Sequence, residues 1–168
     1  MVDTKHNGAV TLVEMIVVLA VLVILATFVF LATRGLETQN KRRDLEGVFL
    51  LLKNALMEYH GETGVFPAQA EYDLPDDPND AADLVAEHGE WMYAELSAVP
   101  ASRAILGRIN RAYVRGDIDA NDPLNVYDVW GQALDYRYDP NVGNFPELLS
   151  AGPDKRYETD DDISSKVK

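Results

Sequence analysis

The chain has 168 residues, a formal net charge of −13 and no cysteine, which excludes disulfides, thiolate metal sites and cysteine nucleophiles. From Leu45 onward it holds 10 Lys and Arg against 24 Asp and Glu, a balance of −14 in that part alone. Such a surface argues against nucleic acid as a general partner, because phosphate binding needs basic charge.

Residues 1–10 are short and polar, with Lys5 as the only formally positive side chain. From Thr11 the chain becomes a near-continuous apolar run with one carboxylate, Glu14, close to its start. Between Met15 and Thr33 there are 19 residues and no charge. At about 1.5 Å per residue a helix of that length reaches roughly 28 Å, close to a bilayer's hydrocarbon thickness. The run is apolar all round, unlike a soluble amphipathic helix. An ordinary secretory signal has a shorter apolar core and a small-x-small cleavage site, so an uncleaved anchor, or cleavage ahead of the run, fits better. Arg34, Lys41, Arg42 and Arg43 follow the span, and a positive-inside count alone places the C-terminal part in the cytoplasm.

Leu45, Val48, Phe49, Leu52, Ala55, Leu56 and Tyr59 fall on one stripe at helical spacing. With no proline before Pro67, the spacing predicts one long helix from about Thr11 to about Tyr59, ended by Gly61, Gly64 and Pro67. An acidic, proline-containing loop follows over 73–83, then a helix from about Asp80 to Ala98 with Leu84, Val85, Trp91, Met92 and Leu96 as apolar positions. Ile105, Leu106 and Ile109 predict a short helix within 101–114. Apolar runs at 126–130, 134–138 and 145–149, separated by turn residues, predict a small antiparallel meander. Residues 150–168 read as an Asp-rich loop. The chain is thus α+β: a long N-terminal helix, membrane-spanning in its first half, packed on a small antiparallel sheet, with an extra helical insertion.

The stretch Ala9-Val10-Thr11-Leu12-Val13-Glu14-Met15-Ile16 resembles the prepilin cleavage and methylation motif of type IV pilins and type II secretion pseudopilins. In that family a short leader is removed, and glutamate stands fifth in the mature chain. Setting Glu14 fifth places the cut between Ala9 and Val10, where Gly then Phe are usual; Gly8 lies one position early and offers the alternative cut. Leu56-Met57-Glu58-Tyr59 with Gly64-Val65-Phe66-Pro67, Asp128-Val129-Trp130-Gly131-Gln132, and Ser150-Ala151-Gly152-Pro153-Asp154 with Asp160-Asp161-Asp162-Ile163 resemble the major pseudopilin G subgroup. Relative to a minimal pseudopilin, residues 70–125 are an insertion.

The resemblance implies a leader over 1–9, a transmembrane and filament-core helix over 10–33, and a pilin-like periplasmic domain over 34–168. It implies a prepilin peptidase that cleaves after Ala9 and methylates Val10. It further implies anchorage in the inner membrane, an assembly platform there, and other pilins or pseudopilins as partners. Glu14 would meet the new amino terminus of a neighbouring subunit, since either charge alone is costly in a low-dielectric bundle. The alternative is a carboxylate at the membrane edge that meets water, where it costs less than the roughly 2.5–3.5 kcal/mol estimated at a span's centre. Lys41, Arg42 and Arg43 would either meet acidic neighbours or form a solvated face.

In the tail, Asp154, Asp160 and Asp162, with the Ala151 carbonyl, are the candidate ligands for Ca²⁺, a cation that takes six to eight hard oxygens. A disordered acidic tail is the alternative. A competing loop, Asp117, Asp119 and Asn121 with Asp128, matches positions 1, 3, 5 and 12 of an EF-hand-type loop but lacks its glycine. No nucleophile, zinc or phosphate-loop motif occurs, so no enzyme is expected. The leading expectation is a structural subunit of a type II secretion pseudopilus. The alternatives are a type IV pilus subunit and a membrane-anchored periplasmic binding domain.

Overall fold

The computed structural model describes residues 12–69, 74, 75, 77–116 and 123–166, with backbone alone over 29–38. Ala9, Val10, Asp117, Asp119 and Asn121 lie outside the described residues. Helix α1 runs Leu12–Thr63, α2 Pro78–Ala98 and α3 Pro100–Leu106, followed by a 3₁₀ turn at Arg111–Tyr113. Five short strands follow: β1 Val114–Arg115, β2 Asn125–Val126, β3 Asp135–Arg137, β4 Glu147–Ser150 and β5 Ile163–Ser164. β1 and β2 form an antiparallel pair, and β3, β4 and β5 form a three-stranded antiparallel sheet in that order. The architecture is α+β and consistent with a pilin-like fold. Two compact units divide between Lys41 and Arg42.

In the first unit α1 exposes apolar side chains on every face from Leu12 to Phe28. In the second, the head, the α1 stripe Leu45, Val48, Phe49, Leu52, Ala55, Leu56 and Tyr59 is buried as its spacing predicts. These side chains share one core with Met92 and Leu96 of α2 and with Val126, Leu134, Tyr136 and Leu148 around the strands. Phe66 closes it, edge-on to Tyr138 and Phe145 with ring centroids 5.2 and 5.0 Å away.

The helix ends have local causes. α1 continues through Gly61 and stops at Gly64, whose φ of +80° is open to glycine and whose N–H returns to the His60 carbonyl at 2.8 Å. α2 begins at Pro78, two residues ahead of the expected start. Asp77 caps it by accepting from the Asn79 N–H at 2.8 Å, and proline suits the first helical position. Val99 is extended because Pro100 follows, which ends α2 and starts α3.

The expected strand over 126–130 is shorter than its composition suggests. After Val126 there is a single bridge between Tyr127 and Ala133, and the chain turns at Asp128. The tail holds a strand where a loop was expected: Ile163 and Ser164 pair with Ser150 and Leu149. Trp91, one of the apolar positions expected on α2, is 43% exposed and lies outside the core.

Candidate functional site

The apolar wall of α1 is the first candidate. Leu12 is 75% exposed, Val23 64% and Phe28 68%. A contiguous apolar surface of this kind is not left to water and marks a place that lipid or protein covers. Glu14 lies in the first turn, where the helix dipole favours a negative charge. Among the described residues no helix is long and apolar enough to cross a membrane; the described side chains of the apolar run end at Phe28. The expected processing residues Ala9 and Val10 lie outside the described residues.

In the head, Asp128 organises the turn that reads Asp-Val-Trp-Gly-Gln. It is buried, its Oδ1 accepts from the Trp130 and Gln132 N–H groups at 2.9 Å each, and its Oδ2 accepts from the Ser150 hydroxyl at 2.6 Å. Gly131 takes the φ of +94° that the turn requires. Both oxygens of Asp128, the residue matched to position 12 of an EF-hand-type loop, are bonded inside the head, and Asp117, Asp119 and Asn121 of that loop lie outside the described residues.

A second buried carboxylate, Asp135 on β3, joins the insertion to the sheet. His88 Nδ1 of α2 lies 3.2 Å from its Oδ1, and Arg137 Nε donates to its Oδ2 at 2.5 Å. The ring is satisfied when Nδ1–H donates to Asp135 and Nε2 accepts from Gln69 Nε2 at 3.3 Å. Gln69 Oε1 in turn accepts from the Tyr138 N–H at 2.9 Å. Arg137 also donates to Glu158 at 2.6 Å. Burial works against the Arg137 charge, but Asp135 and Glu158 outweigh it and raise its pKa. Asn125 of β2 donates to the Ala86 carbonyl at 3.0 Å, beside Gly89. The insertion is thus an integral wall of the head. Its polar anchors were missed in sequence, where the one local signal is Asp135 and Arg137 two apart on one strand face.

The tail loop closes on itself. Asp154 accepts from the Arg156 N–H at 2.8 Å, and the Asp154 N–H donates to Asp161 Oδ2 at 3.0 Å. The Thr159 hydroxyl donates to Asp161 Oδ1 at 2.7 Å, which helps lower the Asp161 pKa. Asp162 accepts from the Glu158 N–H at 2.9 Å; burial, with Glu158 nearby, raises its pKa. Gly152, at φ +67°, lies so close to the Asp161 carbonyl that a Cβ would sit 2.4 Å from that oxygen. The loop brings Asp154 and Asp162 into one turn system and leaves Asp160 exposed. The donors are the hard oxygens that calcium takes, yet among the described residues no three His, Asp or Glu side chains are grouped to hold a metal.

With this geometry in place, comparison with known proteins decides how the N-terminus is read. The prokaryotic N-terminal methylation motif family matches residues 4–30. The chain carries a type IV pilin-like signal. The matched segment contains Ala9, Val10 and Glu14 and extends to the end of the exposed apolar wall. It supports the pilin and pseudopilin class, a structural subunit that assembles with other pilin subunits, and processing by a prepilin peptidase. No curated protein matches the chain, and no solved structure matches it.

Proposed function

We propose that this chain is a pseudopilin of the G type, a structural subunit that assembles through its N-terminal helix into a pseudopilus driving type II protein secretion. The observation that carries the reading is the methylation motif lying on an exposed apolar helix with Glu14 in its first turn. The peptidase cuts between Ala9 and Val10 and methylates the Val10 amine. In the precursor the apolar run from Met15 to Thr33 anchors the chain in the inner membrane, with the acidic head in the periplasm. In the filament the same run packs against its neighbours, and Glu14 pairs with the amino terminus of an adjacent subunit. That pair fixes register, as a polar residue does in a coiled-coil core. The choice of secretion over a type IV pilus rests on the subgroup resemblance of the Gly64–Pro67, Asp128–Gln132 and tail segments.

The same resemblance assigns Ca²⁺ to the tail, with Asp154, Asp160 and Asp162 as carboxylate ligands. The chemistry of the donors supports it: five carboxylates lie between Asp154 and Asp162, and a divalent cation would relieve their mutual repulsion.

N-terminal mass analysis of the protein from wild-type cells tests the processing step. The expected chain starts at a methylated Val10, and an intact Met1 sinks the pilin reading. Deleting the gene is expected to stop release of exported proteins and leave surface pili intact; loss of pili with normal export would assign the chain to a pilus instead.

A further inference from the structure

We propose that the head pairs with a second copy of this chain through opposite charged poles, an arginine pole on one copy meeting the acidic start of α2 on the next. The proposal rests on the filament reading above and names the surfaces involved. From Leu96 to Gly116 the chain has four arginines and no Asp or Glu, inside a head that is otherwise strongly acidic. All four are exposed. Arg115 lies over the Tyr127 ring, 4.4 Å from its centroid. Arg103, Arg108 and Arg111 make no ion pair among the described residues, nor does Arg43, which lines a groove of about 300 Å³ with Arg108. Two of the carboxylates nearby are engaged: Asp44, in the groove, accepts from the Tyr113 hydroxyl at 3.3 Å, and Glu95 from the Tyr59 hydroxyl at 2.6 Å.

The opposite charge lies at the other end of α2. Asp80 and Asp83 are exposed there, with Glu87 one turn further along. The first turns of α2 share a cavity of about 520 Å³ with the tail, where Asp154 is flanked by Lys155 and Arg156 and Glu158 is held by Arg137. From Asp154 to Asp162 the tail still carries five carboxylates against Lys155 and Arg156. α2 has 21 residues, so its ends stand about 30 Å apart, and its far end leads through Val99 into α3, which carries Arg103. Arg115 lies nearer the tail, against Gly131. Asp80 and Arg103, with most of α2 between them, stand about two Debye lengths or more apart at 0.1 M salt and do little to neutralise each other within one head. Between copies they can. Guanidinium groups match carboxylates in geometry as well as charge. A contact that joins different faces of identical subunits need not close on itself, and repetition of it builds a filament. A long polyanion would approach the arginines against the field of the whole head.

The test uses the full-length chain in detergent and in cells. Because the chain has no native cysteine, Arg103→Cys with Glu87→Cys is expected to give an oxidation-dependent ladder of oligomers that weakens at 0.5 M NaCl. Arg108→Glu with Arg111→Glu, and separately Asp80→Lys with Asp83→Lys, should each reduce the ladder and the filament yield about tenfold or more. Mixing the two reversed chains should restore both, because every contact in an alternating polymer is again between opposite charges; restoration also shows that both variants fold. A ladder without filaments supports the poles and removes the filament reading. Filaments that survive both reversals, with no ladder, overturn the poles and leave the filament reading standing. Absence of both ladder and filaments overturns both. DNA retention that Arg108→Glu with Arg111→Glu abolishes, without a ladder, overturns self-pairing in favour of a polyanion.

Discussion

Ser150 and Asp128 are joined inside the head: the hydroxyl at the end of β4 donates to the carboxylate at the start of the Asp128–Gln132 turn, 2.6 Å away, and both residues are buried. The same carboxylate holds two N–H groups of its own turn. Asp128→Ala would leave those donors and the Ser150 hydroxyl without their acceptor. An abandoned buried polar group costs about 1–3 kcal/mol, so the variant should lose roughly 2–4 kcal/mol of stability in urea unfolding. Asp128→Asn keeps an acceptor for the turn and should lose less than half as much. Equal losses would show that the turn does not depend on that oxygen.

Gly89 gives a second prediction. A Cβ there would lie 2.2 Å from Asn125 Oδ1, and Asn125 is pinned by its own bonds to the Ala86 carbonyl and the Val126 N–H. Gly89→Ala must therefore push α2 away from β2, against the usual gain of helix propensity on replacing glycine. An overpacked core costs typically 1–3 kcal/mol, and a lower melting temperature is the expected result. A rise would mean that α2 is free to shift and that the insertion is not a fixed wall.

The long helix and its buried stripe were legible because apolar spacing over Leu45–Tyr59 has no reading but a helix with one covered face. The sheet was legible only in part. Its strands have two to four residues, too few for alternation to register, and β5 sits inside an Asp-rich run whose composition resembles a loop. Trp91 counts as an apolar position of α2 from spacing, which leaves core and subunit contact both open, and its place on α2 faces outward. Of the polar frame only the Asp135–Arg137 spacing is local; His88 and Asp135 are 47 positions apart, and nothing in the sequence marks them as neighbours. Glu14 stands out in the sequence for the opposite reason, as a lone carboxylate heading an apolar run.

Calcium is tested by melting. If Asp154, Asp160 and Asp162 bind it, Ca²⁺ raises the melting temperature above that in EDTA by an amount that grows with concentration, because a ligand bound only by the folded state stabilises it by mass action. Mg²⁺ at the same concentration should do less, since it demands a tighter octahedral shell. Replacing Asp160, which is exposed, by Asn should remove most of the Ca²⁺ effect while leaving the EDTA melt unchanged. Identical melts in Ca²⁺ and EDTA would mean that the loop's own hydrogen bonds suffice.

Alkaline stability depends on Tyr59. Its hydroxyl donates to Glu95 at 2.6 Å, fastening α1 to α2. Burial first, then the hydrogen bond and charge of Glu95, push its pKa up from 10.0 to about 12. The folded state thus holds the phenolic proton more tightly than the unfolded chain does. The stabilisation from this group is complete below pH 10 and disappears as pH rises from 10 towards 12. Urea unfolding across that interval should show stability falling with pH, and ultraviolet titration should find Tyr59 among the tyrosines that ionise late, with Tyr93, Tyr113 and Tyr157. Tyr59→Phe should lose about 1 kcal/mol at neutral pH through the missing hydrogen bond. It should also flatten the alkaline slope. An unchanged slope in the variant would assign the alkaline loss to another group, with Tyr157, raised by its burial, as the next to replace.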